Sequence, residues 1–238
     1  INSPANLIPK KRKLLLFILP FLGLTLVLVS YATPIVKLKI TPLFNNQSIT
    51  ENAWFVSSQK DSIQFTKLKF YFTDFQVKSI KGEINTIDHS NYLIDIFQPE
   101  TLEIQLSTVS FSNGDELSFN LGVSSDMNTT GAHSGALDPS NGMFWSWQSG
   151  YINFKIEGVS PSSKTRQNKF QFHIGGYQSP YNTLRRLTFI LNKQTTQLNL
   201  NLEGFFERTK LAVDNQIMVP GEKANELATE FFNTITIN

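Results

Sequence analysis

From Val36 to Phe206, apolar and polar residues alternate one by one in stretch after stretch. That period suits strands half buried on one face and excludes amphipathic helices. The stretches are VKLKITPLF (36–44), SIQFTKLKFYFTDFQVKSI (62–80), YLIDIF, LEIQLS, ELSFNLGV, YINFKIEG, KFQFHIG, LTFIL and TQLNLNLEGFF. The second is long enough to be two strands with a break near Thr73-Asp74. Turn clusters such as SNGDE, SPSSKTRQN and QSPYN separate them. About ten short strands without helical crossovers predict an all-β fold, an antiparallel β-sandwich or barrel. Twenty Phe against three Met push the same way. Only the tail differs: after Pro220-Gly221, EKANELATEFF spaces Ala224, Leu227, Ala228, Phe231 and Phe232 by three and four. This predicts a short C-terminal helix closing one end or edge of the sheets.

Ahead of the strands, Lys10, Lys11, Arg12 and Lys13 precede an apolar run from Leu14 to Val29, followed by small residues at Ser30 and Ala32. A basic segment, an apolar stretch and a small-residue site make an export signal. The rival is an uncleaved anchor over residues 14–36, which holds no charge between Leu14 and Val36. Pro20 and Gly23 weaken that spanning helix. Residues 1–32 are thus a signal peptide or membrane anchor, and 33–238 a single domain working outside the cytoplasm. Setting the four basic residues aside leaves 17 basic and 19 acidic residues, so no basic patch argues for nucleic acid. With no Cys, the domain has no disulfide, thiolate metal site or thiol nucleophile, and its core alone must hold it.

The longest interval between strands, residues 124–150, reads SSDMNTTGAHSGALDPSNGMFWSWQSG. A loop of that length in a compact domain is functional or disordered, and two Trp, a Phe and a Met argue for order. Any transition-metal site must draw on His89, His133 and His173, on Met127, Met143 and Met218, or on carboxylates. Imidazole with thioether and no thiolate suits copper, Cu(I) in particular. His89 follows Asp88 in a polar turn and reads as solvated. In KFQFHIG, Phe170, Phe172 and Ile174 share one face, so His173 lies on the other with Lys169 and Gln171, the position of a surface strand residue. In YINFKIEG, Ile152, Phe154 and Ile156 face the core. Extended backward, that phase puts Trp145, Trp147 and Tyr151 on the opposite face, unless a turn at Gly150 resets it. LDPSNG carries ordinary turn chemistry rather than a calcium loop. No G-x-S-x-G elbow, Walker loop or H-E-x-x-H motif is present, and no carboxylate pair is placed for acid–base work, so the chain reads as a non-enzyme.

FNLGVSSDMN, GALDPSNGMFWSWQSGYINFKIEG and FHIGGY, in that order, resemble the MbnP-like family of exported copper-binding proteins, with KLKFYFTDFQV and YLIDI matching its earlier strands. The resemblance spans roughly residues 36–236. It implies an exported β-sandwich that binds copper in the periplasm or cell envelope, for copper acquisition or handling. The partners it implies are copper or a copper-carrying small molecule, and an envelope or outer-membrane transporter. In some relatives two His and a Trp oxidised to kynurenine surround Cu(I). By position, His173 matches the family's strand His, and Met143, Trp145 and Trp147 match its Met-Trp-Trp run. Where copper-binding members carry Asn-His, this chain has Asn128-Thr129. His133, four residues on, is the candidate substitute. The expected metal set is therefore His173, His133, Met143, Trp147 and Trp145. The competing reading is a metal-free envelope module that binds a glycan or peptide on a Trp/Tyr platform.

Overall fold

The computed structural model describes residues 36–237 apart from 89, 107–110, 147, 193 and 194. The proposed signal or anchor, His89 and Trp147 lie outside the described residues. Among the described residues no helix is long and apolar enough to cross a membrane.

In chain order the strands are β1 (Val36–Phe44), β2 (Gln47–Ser48), β3 (Trp54–Val56), β4 (Ser62–Lys78), β5 (Ile84–Thr86), β6 (Tyr92–Asp95), β7 (Glu103–Leu106), β8 (Glu116–Leu121), β9 (Phe144–Ser146), β10 (Gly150–Val159), β11 (Lys169–Gly175), β12 (Arg185–Ile190), β13 (Thr195–Asn201), β14 (Gln216–Ile217) and β15 (Ile235–Ile237). Three helices join them: α1 (Ser125–Thr129), α2 (Glu203–Arg208) and α3 (Glu222–Asn233). The smaller sheet runs β15-β13-β1-β2, with β7 also on β1. The larger runs β12-β8-β4-β10-β11-β14, with β3, β5 and β6 on β4 and β9 on β10. The sandwich expected from the alternation is present. Most pairs are antiparallel, but β1 with β13 and β11 with β14 are parallel, so the sheets are mixed.

The main core lies between the sheets. Leu38 and Ile40 of β1 and Leu198 and Leu200 of β13 meet Phe70 and Phe72 of β4, Phe154 and Ile156 of β10, and Phe170 and Phe172 of β11. Helix α3 adds Ala224, Leu227, Ala228 and Phe231, and the Phe231 ring stacks on Phe154 with centroids 4.2 Å apart. Each buried Phe contributes about 1.5–3 kcal/mol, which is how a chain without disulfides is held.

Two local departures from the alternation have clear causes. In the 62–80 stretch, Ser62–Lys78 is one 17-residue strand, and the break expected at Thr73-Asp74 is a bulge. There the register against β8 shifts between Thr73 and Gln76, and Asp74 takes φ +54 while its carboxylate accepts from Asn120 Nδ2 at 2.7 Å. The second departure is TQLNLNLEGFF, which stops being a strand at Asn201 and becomes α2. Phe205 and Phe206 are both buried, whereas consecutive residues of a strand would face opposite sides. A helical turn lets both enter the core.

Candidate functional site

The outer face of the larger sheet carries a ladder of charge. Asp95, Lys69, Lys155 and His173 stand in one row across β6, β4, β10 and β11, and Lys67, Glu157 and Gln171 form the next row. Lys69 Nζ meets Asp95 at 3.1 Å, and Lys67 Nζ meets Glu157 at 3.2 Å. His173 Nε2 lies 2.7 Å from Glu157 Oε1. His173 is on the face opposite the Phe residues, as its parity requires, but it is covered: only 7% of it is exposed, and 8% of Lys155. The hydrogen bond from His173 is the chief cause holding Glu157 down at about 2, against the opposing effect of burial and with help from Lys67. Burial lowers the Lys155 pKa, and the adjacent Lys67 and Lys69 lower it further against the pull of Glu157. The Lys155 ammonium donates to the Gly142 carbonyl.

That last contact belongs to the long loop, which folds over the rest of this face. Helix α1 starts at Ser124, whose hydroxyl accepts from Met127 N at 3.4 Å. Asn128, 2% exposed, clasps the loop to β10: its Oδ1 accepts from Tyr151 N at 2.7 Å, and its Nδ2 donates to Val123 O and Ser124 O. Asp138 accepts from Ser140 N at 2.8 Å, and hydrogen bonds from Ser140 lower its carboxyl pKa. Beneath the loop lies a second apolar cluster of Tyr71, Val123, Leu137, Met143, Tyr151 and Ile152, flanked by Met127, Phe144 and Trp145. Tyr71 donates to Ala136 O and Tyr151 to Leu137 O, so both buried hydroxyls are satisfied. Burial raises both of their pKa values. Ile152, expected on the core face with Phe154 and Ile156, instead joins this outer cluster with Tyr151. A register shift against β11 between Ile152 and Phe154 resets the phase.

The expected metal residues fall at different points of this surface. His173 is paired with Glu157 in the charge ladder. Two residues further along the same face of β11, Gly175 lies under the Trp145 indole: a Cβ added there would stand 2.9 Å from Trp145 Cζ3 and would collide with the Tyr151 carbonyl. His173 and Trp145 thus share one face around Gly175. Met143 is fully buried in the second cluster, with Tyr71, Leu137 and Tyr151 among its members. His133 sits on Tyr151: its backbone N–H donates to the Tyr151 hydroxyl at 2.9 Å, and the two ring centroids lie 6.4 Å apart with the planes inclined by 24°. His133 Nε2 lies 3.1 Å from Met127 O and 2.9 Å from Thr130 Oγ1. Among the described residues, no contact joins His133 to His173, and no three His, Asp or Glu side chains are gathered as a metal-binding group. Trp147 lies outside the described residues.

Glu157, Lys155 and Asn128 escaped the sequence reading. Lys155 and Glu157 sit on the polar phase of a strand and look solvated until their neighbours are placed, Gly142 of the loop on Lys155 and His173 with Lys67 on Glu157. The signal that could have found Glu157 is its two-residue offset from Lys155, which alternation puts on the same face as His173 once β10 and β11 are paired.

Comparison with known proteins places this arrangement. The family model MbnP matches residues 33–220. A solved structure, MbnP from Methylosinus trichosporium, superposes with a TM-score of 0.60 over 79% of this chain and 83% of that chain, at 15% sequence identity, a likeness of fold. No curated protein matches.

Proposed function

The chain belongs to the MbnP family, and from that premise we propose that it is an exported, non-enzymatic protein that binds copper, with His173 as the principal ligand. The observation that carries this reading is the Glu157–His173 pair at 2.7 Å. A carboxylate only accepts, so Nε2 carries a hydrogen, and in the neutral ring the lone pair is then on Nδ1. A metal-binding imidazole is commonly oriented this way, its second nitrogen donating to a carboxylate that fixes the tautomer and raises the basicity of the ligating nitrogen. Because its pKa stays near 2, Glu157 remains charged at any ordinary pH.

The surroundings suit a soft, partly dehydrated ion. Trp145 covers the strand two residues beyond His173. Its indole can exclude water and offer a π face to a cation. Met143 lies in the apolar cluster against which Trp145 packs, and its thioether is a donor type that favours Cu(I). His133 would reach such an ion only by leaving Met127, Thr130 and Tyr151, so its contribution depends on movement of residues 130–134. Copper is cargo here. A copper-carrying small molecule delivers it, and an envelope or outer-membrane transporter is the partner, in the periplasm or cell envelope into which the N-terminal segment directs the chain.

Titration of the purified chain with Cu(I) against a competing chelator tests the proposal. One equivalent should bind to the wild type, and His173→Ala should lose more than the about 10–100-fold in affinity that removing a ligand's hydrogen-bonding partner costs. Equal affinity in the two proteins refutes it.

A further inference from the structure

Just past Gly175, where β11 ends, a pocket of ≈ 180 Å³ opens between the end of the long loop and the turn leading to β12. Among the described residues its lining includes Tyr177 and Tyr181, Gln148 and Gln178, and Ser149 and Ser179. We propose that this pocket binds one neutral sugar ring, a pyranose of an uncharged glycan. The site is separate from the His173 ladder, and the proposal does not depend on copper.

The lining chemistry selects the ligand class. Among the described residues no side chain of the lining is charged, so none of them offsets the desolvation of a phosphate, a uronate or an ammonium group. Gln amides and Ser hydroxyls each donate and accept, which matches sugar hydroxyls that do both. Two Tyr rings give the apolar wall that a sugar's C–H face requires, with a polar tip at the edge. Convergent polar groups beside aromatic walls are the general form of a small-ligand site. The volume corresponds to about six water molecules at ~30 Å³ each, the scale of one ring rather than of an extended peptide, which needs a groove along several residues.

The pocket is also built to stay open. Gly176 takes φ +133, and a Cβ there would stand 2.7 Å from Tyr181 O and 3.2 Å from Pro220 Cβ, so only glycine lets these segments approach so closely at the base of the pocket. The Gly176 carbonyl accepts from Thr183 N at 2.9 Å and from Thr183 Oγ1 at 3.2 Å. The Tyr177 carbonyl accepts from Ser125 Oγ at 3.0 Å, which ties this turn to α1. Tyr181 keeps 42% of its surface exposed, an aromatic face presented to solvent at the rim. A wall held by these bonds loses little freedom when a ligand arrives.

The test is an amide-resolved NMR titration of the full chain. The probes are methyl glycosides of neutral hexoses and N-acetylhexosamines, their trisaccharides, a hexuronic acid, and an uncharged proline-rich peptide. Neutral glycosides should shift the amides of Tyr177, Gln178 and Tyr181 and leave those of β1 and β13 in place. Tyr181→Ala should weaken binding about tenfold while Tyr181→Phe keeps it within about threefold, since the ring rather than its hydroxyl does the stacking. Tighter binding of trisaccharide than of monosaccharide identifies a glycan chain as the source, and equal binding a free sugar. The proposal is overturned if neutral glycosides leave these amides unmoved, if the peptide or uronic acid binds there in preference, or if Tyr181→Ala, with its spectrum otherwise intact, binds as the wild type does.

Discussion

Replacing Glu157 by Gln keeps the size of the side chain and removes the charge that His173 and Lys67 share. In the folded chain this carboxyl titrates at about 2 rather than 4.5, chiefly because His173 donates to it. Its folded pKa is depressed, so it contributes stability that is fully present above the unfolded value and is lost as pH falls through the folded one. At 1.36 kcal/mol per pH unit the contribution reaches at most about 3 kcal/mol. The carboxylate is 19% exposed and its partner Lys67 41% exposed, and screening by water brings the expected value to roughly 2 kcal/mol. The assay is urea unfolding of wild type and Glu157→Gln at intervals between about pH 7 and pH 2. The wild type should be more stable by roughly 2 kcal/mol at neutral pH, with the gap closing between about pH 4.5 and pH 2. A gap that stays constant through that window refutes the reasoning, because the carboxylate would then not draw its stability from the pairing.

Asn128→Ala removes three hydrogen bonds from a buried position, leaving the Tyr151 amide and two carbonyls to be satisfied otherwise. Unfolding should become easier by about 3 kcal/mol, and the 124–150 loop should exchange its amide hydrogens faster than the core strands do. Gly175→Ala places a methyl group against Trp145 and the Tyr151 carbonyl. It should cost about 1–3 kcal/mol and alter the indole fluorescence. An unchanged emission spectrum would show that Trp145 does not rest on this strand.

Alternation carried the architecture because each strand has one apolar face, and that face alone locates the main core. Phe154, Ile156, Phe170 and Phe172 could be assigned from parity without knowing their neighbours. The α3 residues Ala224, Leu227, Ala228 and Phe231 followed equally from helical spacing. Two features broke the parity: the phase reset in β10, which turned Ile152 outward, and the helix that admits both Phe205 and Phe206. Each depends on tertiary packing that overrides a local period.

The site was less legible. His173 could be placed on the outer face, but its burial comes from tertiary packing that alternation does not specify, and the loop's clasp, Asn128, and anchor, Lys155, look like ordinary polar residues in isolation. The Glu157–His173 pair joins two strands across 16 positions of sequence, and the register that creates it is fixed only when β10 and β11 pair. Family resemblance pointed to His173, Met143 and Trp145 by position. The described contacts then distribute them: His173 in the ladder, Trp145 over Gly175 and Met143 in the apolar cluster behind, while His133 is held on Tyr151.

The most direct measurement follows the two His173 ring nitrogens by NMR as Cu(I), which is diamagnetic, is added to the full chain. Before addition the ring should carry its hydrogen on Nε2, facing Glu157, and on addition Nδ1 should shift in step with one bound equivalent while Nε2 keeps its hydrogen. A hydrogen found on Nδ1, or ring nitrogens that do not respond while copper binds elsewhere, would contradict the assignment of His173 as the ligand oriented by Glu157.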